Sequence, residues 1–207
     1  MLLMGLAGFA AAEPARPTIV SLDYCADQFV LALADREQIL ALSKDAERQF
    51  SYLRDKAAGI PKVRAAAEDV VALNPDIVVR SWGGDARALA LYQRFGIRTV
   101  QIGYADDVEG TGDLLREVAS AIGRTARAEA ILSAAPKPAA PSARKAVYVT
   151  PGGVSAGKGT MIESIMTYAG LENANSGTGW TSLPLENLVM EPPGLLLAAF
   201  FGFDDDA

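Results

Sequence analysis

The sequence predicts an α/β protein of two similar lobes, and three observations carry that prediction. Residues 65–84, AAAEDVVALNPDIVVRSWGG, read as a short helix, a proline-marked turn, a buried strand and a glycine loop. The same unit recurs near the C-terminus as LENLVMEPPGLLLAAFFG. Between them PKPAAPS (136–142) is the only low-complexity stretch, and its three prolines favour a stiff, extended connector that marks a boundary between lobes.

The unit follows from its residues. Val70, Val71 and Leu73 give the helix an apolar side, and Asn74-Pro75 ends it, because a residue before proline is pushed out of the α region. Ile77-Val78-Val79 is an unbroken apolar run, as in a parallel strand covered on both faces. Helices in such a layer run antiparallel to the strands. Glu68, at the helix start, therefore shares an edge with Trp82, at the strand end, and open α/β sheets bind ligands on that edge. Glu68 stands seven residues before Pro75 and Glu186 seven before Pro193, each followed at equal offsets by an apolar pair and a strand triplet. Helix–proline–strand is also a common pattern that arises by chance. An acid in a first helical turn is favoured by about 0.3–1 kcal/mol with no partner at all. The matched pair of acids, one per lobe, is what points to a function.

The elements run in order from Thr18-Ile19-Val20-Ser21-Leu22, a first strand. Asp23 to Asp27 form a loop and helix start, Gln28 to Ala34 continue the helix, and Ile39 to Ser43 are a second strand. Residues 44–59 are charged and irregular, with Phe50 and Tyr52 as rim aromatics. After the 65–84 unit come a helix over 86–95 stopped by Gly96, a strand over 97–103, and Tyr104 on the same rim. Residues 111–133 have helical spacing, and Gly123 makes them either two helices or one bent helix. The second lobe opens with a strand over 146–150, then a glycine-rich loop over 151–159, a helix over 161–169 and a loop over 173–183 that carries Trp180. Only two strands are clear there, so this lobe reads as unfinished.

Half of the 207 residues are hydrophobic, enough for a packed core. The net charge is −6 with no basic block, which argues against nucleic acid and suits a positive partner surface. Residues 1–12, MLLMGLAGFAAA, read either as the apolar part of an export signal, with Ala10-Ala11-Ala12 as a small-residue cleavage site, or as a frayed apolar N-terminus. The run is too short to span a bilayer. Cys25 is the only cysteine, so no internal disulfide can form, and the absence of histidine removes the commonest zinc and haem ligand. No metal site, resident cofactor or catalytic residue is expected. Asp204, Asp205 and Asp206 read as a solvated tail.

The most enzyme-like stretch is GGVSAGKGT, 152–160, between a strand and a helix. A phosphate loop needs G-x-x-x-x-G-K-[ST]. Gly152, Gly157 and Lys158 fit, but Gly159 stands where the hydroxyl belongs and Thr160 is one residue late. A nucleotide-binding enzyme using Gly152 to Lys158 and a plain glycine turn are the two readings. Trp82, Tyr104, Tyr24 and Trp180 all fall at strand ends, where large flat groups suit a bulky, partly apolar ligand or pack locally.

Taken together, TIVSLDYCADQFVLAL, AAEDVVALNPDIVVRSWGG, FGIRTVQIG, VSAGKGTMIESIMTYAGLENA and LPLENLVMEPPG resemble, from about residue 17 to 200, the periplasmic substrate-binding proteins of cobalamin and ferric-siderophore ABC importers. The resemblance implies two Rossmann-like lobes joined by a single long helix: 17–110, then 111–142 as connecting helix and proline-rich linker, then 143–207. It implies periplasmic capture of a bulky metal chelate such as a ferric siderophore, haem or cobalamin, by a monomer, without catalysis. Glu68 and Glu186 match the acids that dock onto arginines of the membrane permease. Trp180 matches a cleft aromatic, Ser81-Trp82 and Gly83 lie where another contact does, and Tyr24 and Val154 fall in cleft loops. The chain departs from the family at Pro136, Pro138 and Pro141, where the helix usually continues, and at Pro192-Pro193-Gly194. The family continues past residue 207, so a fragment or degraded copy, and even a vestigial domain without a ligand, stays among the expectations.

Overall fold

The computed structural model describes residues 16–199. The expected export signal over 1–12 and the aspartate tail lie outside the described residues. The chain forms two compact units that divide at Gln101/Ile102.

The first unit comprises β1 (Ile19–Ser21), α1 (Tyr24–Leu33), β2 (Ile39–Ser43), β3 (Lys62–Val63), α2 (Ala67–Ala72), β4 (Ile77–Arg80), α3 (Ala86–Arg94) and β5 (Arg98–Gln101), with 3-10 turns at Arg36–Gln38 and Arg54–Ala57. Its sheet runs β3-β2-β1-β4-β5, and every pairing is parallel. The apolar run forms the buried strand it predicted: Ile77, Val78 and Val79 are almost wholly enclosed. Val20 and Val78 pack with Val70 of α2 and Ala88 and Tyr92 of α3, while α1 packs against β1, β2 and β4. Asn74 takes φ 46°, a left-handed turn that asparagine tolerates, and so ends α2 where Pro75 requires. Asp76 closes the lower edge: its Oδ2 accepts from Thr18 N (2.7 Å) and Thr18 Oγ1 (2.8 Å), tying the starts of β1 and β4.

The strand order places a topological switch point between β1 and β4. The chain winds outward from β1 through β2 to β3, then returns to β4 and winds the other way to β5. Open α/β sheets bind their ligands at the carboxyl ends of strands flanking such a point. In this unit those ends carry Asp23-Tyr24 and Ser81-Trp82-Gly83.

The second unit holds α4 (Val108–Ala121), α5 (Thr125–Ala134), β6 (Lys145–Val149), β7 (Val154–Ala156), α6 (Met161–Tyr168), β8 (Glu172–Asn173), β9 (Trp180–Ser182), α7 (Leu185–Met190) and β10 (Leu195–Ala198). Strands β10-β6-β8 form a parallel sheet, and β7 pairs antiparallel with β9. Ala146, Tyr148, Ala156 and Met166 make its core.

Three expectations are corrected here. The single long helix is two helices. Gly123, at φ 72°, breaks the run, and the second helix folds back so that Arg116 Nε reaches Glu129 Oε1 at 2.8 Å. One unbroken helix would hold residues 13 apart at about 20 Å. The proline-rich 136–142 segment does not mark the division between units. It runs extended inside the second, where Ala139 N donates to Tyr168 O (2.9 Å) and Ser142 N to Gly170 O (2.9 Å). The two stretches read as loops, 151–159 and 173–183, contain β7 and β9. With these two and the two-residue β8, the described residues of this unit hold five strands rather than two, and Trp180 sits on a strand.

Candidate ligand-binding rim

The helix α1 organises the upper edge of the first unit through three side chains of its first two turns. Asp23 is the N-cap and is buried. Its Oδ1 accepts from Ala26 N (2.9 Å), and its Oδ2 accepts from three successive amides, Ser81 (2.8 Å), Trp82 (3.0 Å) and Gly83 (2.9 Å). Gly83 is needed there, because a Cβ would lie 2.6 Å from Leu22 O. Asp27, also buried, accepts from Ser43 N (3.1 Å) and Ser43 Oγ (2.6 Å) at the end of β2. Gln28 donates to Ser51 Oγ and accepts from Leu53 N, each at 2.8 Å, and so fixes the loop that carries Phe50.

The outcome is an exposed aromatic cluster. Tyr24 stands edge-on to Phe50 with centroids 5.2 Å apart and edge-on to Trp82 at 5.9 Å. Trp82 and Phe50 leave 56% and 60% of their surface in solvent, far more than a packing role needs. The Tyr24 phenol is held above its ordinary value, first by its hydrogen bond with the Cys25 thiol and the charge of that group, then by burial.

Of the residues singled out in the sequence, the structure brings Tyr24, Ser81, Trp82 and Gly83 together on one edge. Val154 and Trp180 share a second place, the antiparallel β7–β9 pair, with Val154 opposite Ser182 and Ala156 opposite Trp180. Trp180 packs edge-on against Tyr148 at 6.0 Å and remains half exposed. Tyr104 follows β5, across the division in the second unit, and is exposed. Glu68 and Glu186 are both exposed, and each is the second residue of a six-residue helix. Glu68 lines an open hollow of about 640 Å³ with Asp85 and Arg87. The sequence did not point to Asp23, Asp27 or Gln28. The one available signal was an aspartate directly before a helix start.

The glycine stretch 152–160 is not built as a phosphate cradle. Val154–Ala156 are extended in β7, and the amides beyond it already have acceptors: Gly157 N in Gly179 O, Lys158 N in Gly177 O, and Gly159 N in Glu163 Oε2.

Burial raises the Asp27 carboxyl above its ordinary value, and the hydrogen bonds from Ser43 only partly offset this. The folded state then holds the proton more tightly than the unfolded chain. This contribution to stability is complete below the unfolded value of 3.8 and is lost as pH rises through the raised folded value. Asp76 has the opposite sign, lowered by its hydrogen bonds from Thr18. The difference between wild type and Asp27→Asn isolates the first effect. In urea titrations, Asp27→Asn is expected to gain stability relative to wild type as pH is raised from about 4 to 7. A gap that is constant with pH would refute the buried-charge account.

No protein-family model matches the chain, and no curated protein matches it. Solved structures do. A possible iron-binding, periplasmic solute-binding protein of Staphylococcus epidermidis is 17% identical with a TM-score of 0.67, the match covering 89% of this chain and 78% of that one. The periplasmic haem-binding protein HutB of Vibrio cholerae is 20% identical with a TM-score of 0.66, covering 87% and 75%. The periplasmic vitamin B12-binding protein BtuF of Vibrio cholerae is 14% identical with a TM-score of 0.56, covering 88% and 76%. The mixed α/β architecture of this chain, with its parallel sheets and flanking helices, thus has the fold of these periplasmic binding proteins.

Proposed function

We propose that this protein captures a bulky metal chelate, a ferric siderophore, haem or cobalamin-like molecule, in the periplasm and delivers it to the permease of an ABC importer. The observation that carries this function is the solvent-facing Phe50–Tyr24–Trp82 cluster at the switch-point edge of a fold shared with haem-, iron- and vitamin B12-binding proteins. Aromatic faces give large contact area at little entropic cost, which suits a large, partly apolar ligand. Without histidine in the sequence, the metal enters already chelated, as cargo. Trp180, Val154 and Tyr104 are further proposed ligand contacts. Glu68 and Glu186 are the proposed contacts to basic loops of the permease, with the protein acting as a monomer. No helix among the described residues is long and apolar enough to cross a membrane.

Titration with haemin, cyanocobalamin and a panel of ferric siderophores tests the function through tryptophan fluorescence. Saturable quenching by one of them is expected, reduced in Trp82→Ala and Trp180→Ala. No quenching by any chelate would favour an interaction domain without a small ligand.

A further inference from the structure

We propose that Asp23 is a positioning residue that fixes Trp82 in its ligand-facing place by acting as a built-in anion at the switch point. Three successive amides converging on one carboxylate oxygen form the kind of backbone nest that elsewhere receives a phosphate. Here the side chain at the end of β1 fills the nest formed after β4. The three amides at this point of the sheet are thereby occupied from within. The ligand is left to the aromatic rim above it and not to the amides.

The geometry separates two jobs of one carboxylate. Oδ1 caps α1 through Ala26 N, and Oδ2 holds the 81–83 loop, about 60 residues away in sequence. Hydrogen bonds to a charged group are stronger than those between neutral partners, so the Oδ2 set dominates the local order of the loop. Trp82 itself is largely in solvent, so its placement depends on its backbone. Gly83, pressed against Leu22, leaves that backbone little alternative path.

Asp23→Ser tests the assignment, since serine still caps a helix but cannot span to the loop. Hydrogen exchange is the first readout. The amides of Ser81, Trp82 and Gly83 are expected to lose protection by about tenfold or more, while Ala26 and the strand amides of β1 and β4 keep theirs. Unchanged protection in the loop overturns the clamp. So does a loss spread over β1, β4 and α1, which would make Asp23 a general structural residue. The consequence for binding rests on the capture function proposed above, whereas the clamp does not. With haemin or cyanocobalamin as probe, Asp23→Ser should weaken binding about tenfold in the wild-type background and add nothing in Trp82→Ala. Additive losses would show that Asp23 does not act through Trp82. If neither probe binds wild type, the capture function fails for these chelates, and the amide protection still decides the clamp.

Discussion

The double reversal Glu68→Lys, Glu186→Lys is expected to abolish chelate uptake in a reconstituted or whole-cell transport assay while leaving chelate affinity within about twofold. The two acids are candidates because of what the fold repeats around them. Each is the second residue of a six-residue helix, and the following strand, β4 from Ile77 or β10 from Leu195, begins nine residues later. Both side chains are exposed, so neither reversal disturbs a core. Placing a lysine in a first helical turn costs only a few tenths to about 1 kcal/mol against the helix dipole. In the proposed docking on a basic permease loop, each lysine would instead set like charges together, which costs several kcal/mol. Two such sites acting separately add, so the single reversals should fall between wild type and the double variant. Uptake that persists in the double variant would remove the docking role. Lost chelate affinity with a wild-type melting curve would move the acids into the binding site instead.

The sequence showed clearly those features that are local. Ile77-Val78-Val79 could be read as a buried parallel strand because both faces demand apolar residues, and Asn74-Pro75 as a helix stop because proline constrains its neighbour. The repeated Glu–helix–strand spacing was legible for the same reason, and it survives in the structure element by element. What escaped was held by long-range contacts. The carboxylate of Asp23 finds its amides across 58 to 60 residues, and no pattern near Asp23 encodes them. β7 and β9 are three residues each, set among glycines and polar residues, so turn composition masked strands that exist through their mutual pairing. Gly123 left the helical run open between two helices and one. The Arg116–Glu129 contact decided for two by bringing α5 back along α4.

Gly157→Ala is expected to destabilise the second unit by about 3 kcal/mol, enough to lower its melting temperature by roughly 10 °C. Gly157 lies outside the left-handed region, so alanine meets no dihedral penalty there. Reducing the freedom of the unfolded chain would by itself stabilise the protein by about 0.4–1 kcal/mol. The sign is set by space. A Cβ on Gly157 would lie 2.2 Å from Gly177 O and 2.7 Å from Gly177 C, backbone atoms with no rotamer to yield. That backbone is pinned by Gly157 N to Gly179 O at 2.8 Å, Lys158 N to Gly177 O at 2.7 Å, and Gly179 N to Lys158 O at 2.8 Å. Any shift must break these bonds or displace β9, and with it Trp180. Gly159 is the control: its φ of 74° costs an alanine about 1 kcal/mol, but its Cβ would meet nothing within 4 Å. Lys158→Ala should change stability by no more than about 0.5 kcal/mol. The ranking Gly157 over Gly159 over Lys158 in thermal melts identifies 152–160 as a packing junction between two strands. A phosphate loop predicts a different result: Lys158→Ala would abolish magnesium-dependent ATP binding that wild type shows, and that result would restore a nucleotide site to this stretch.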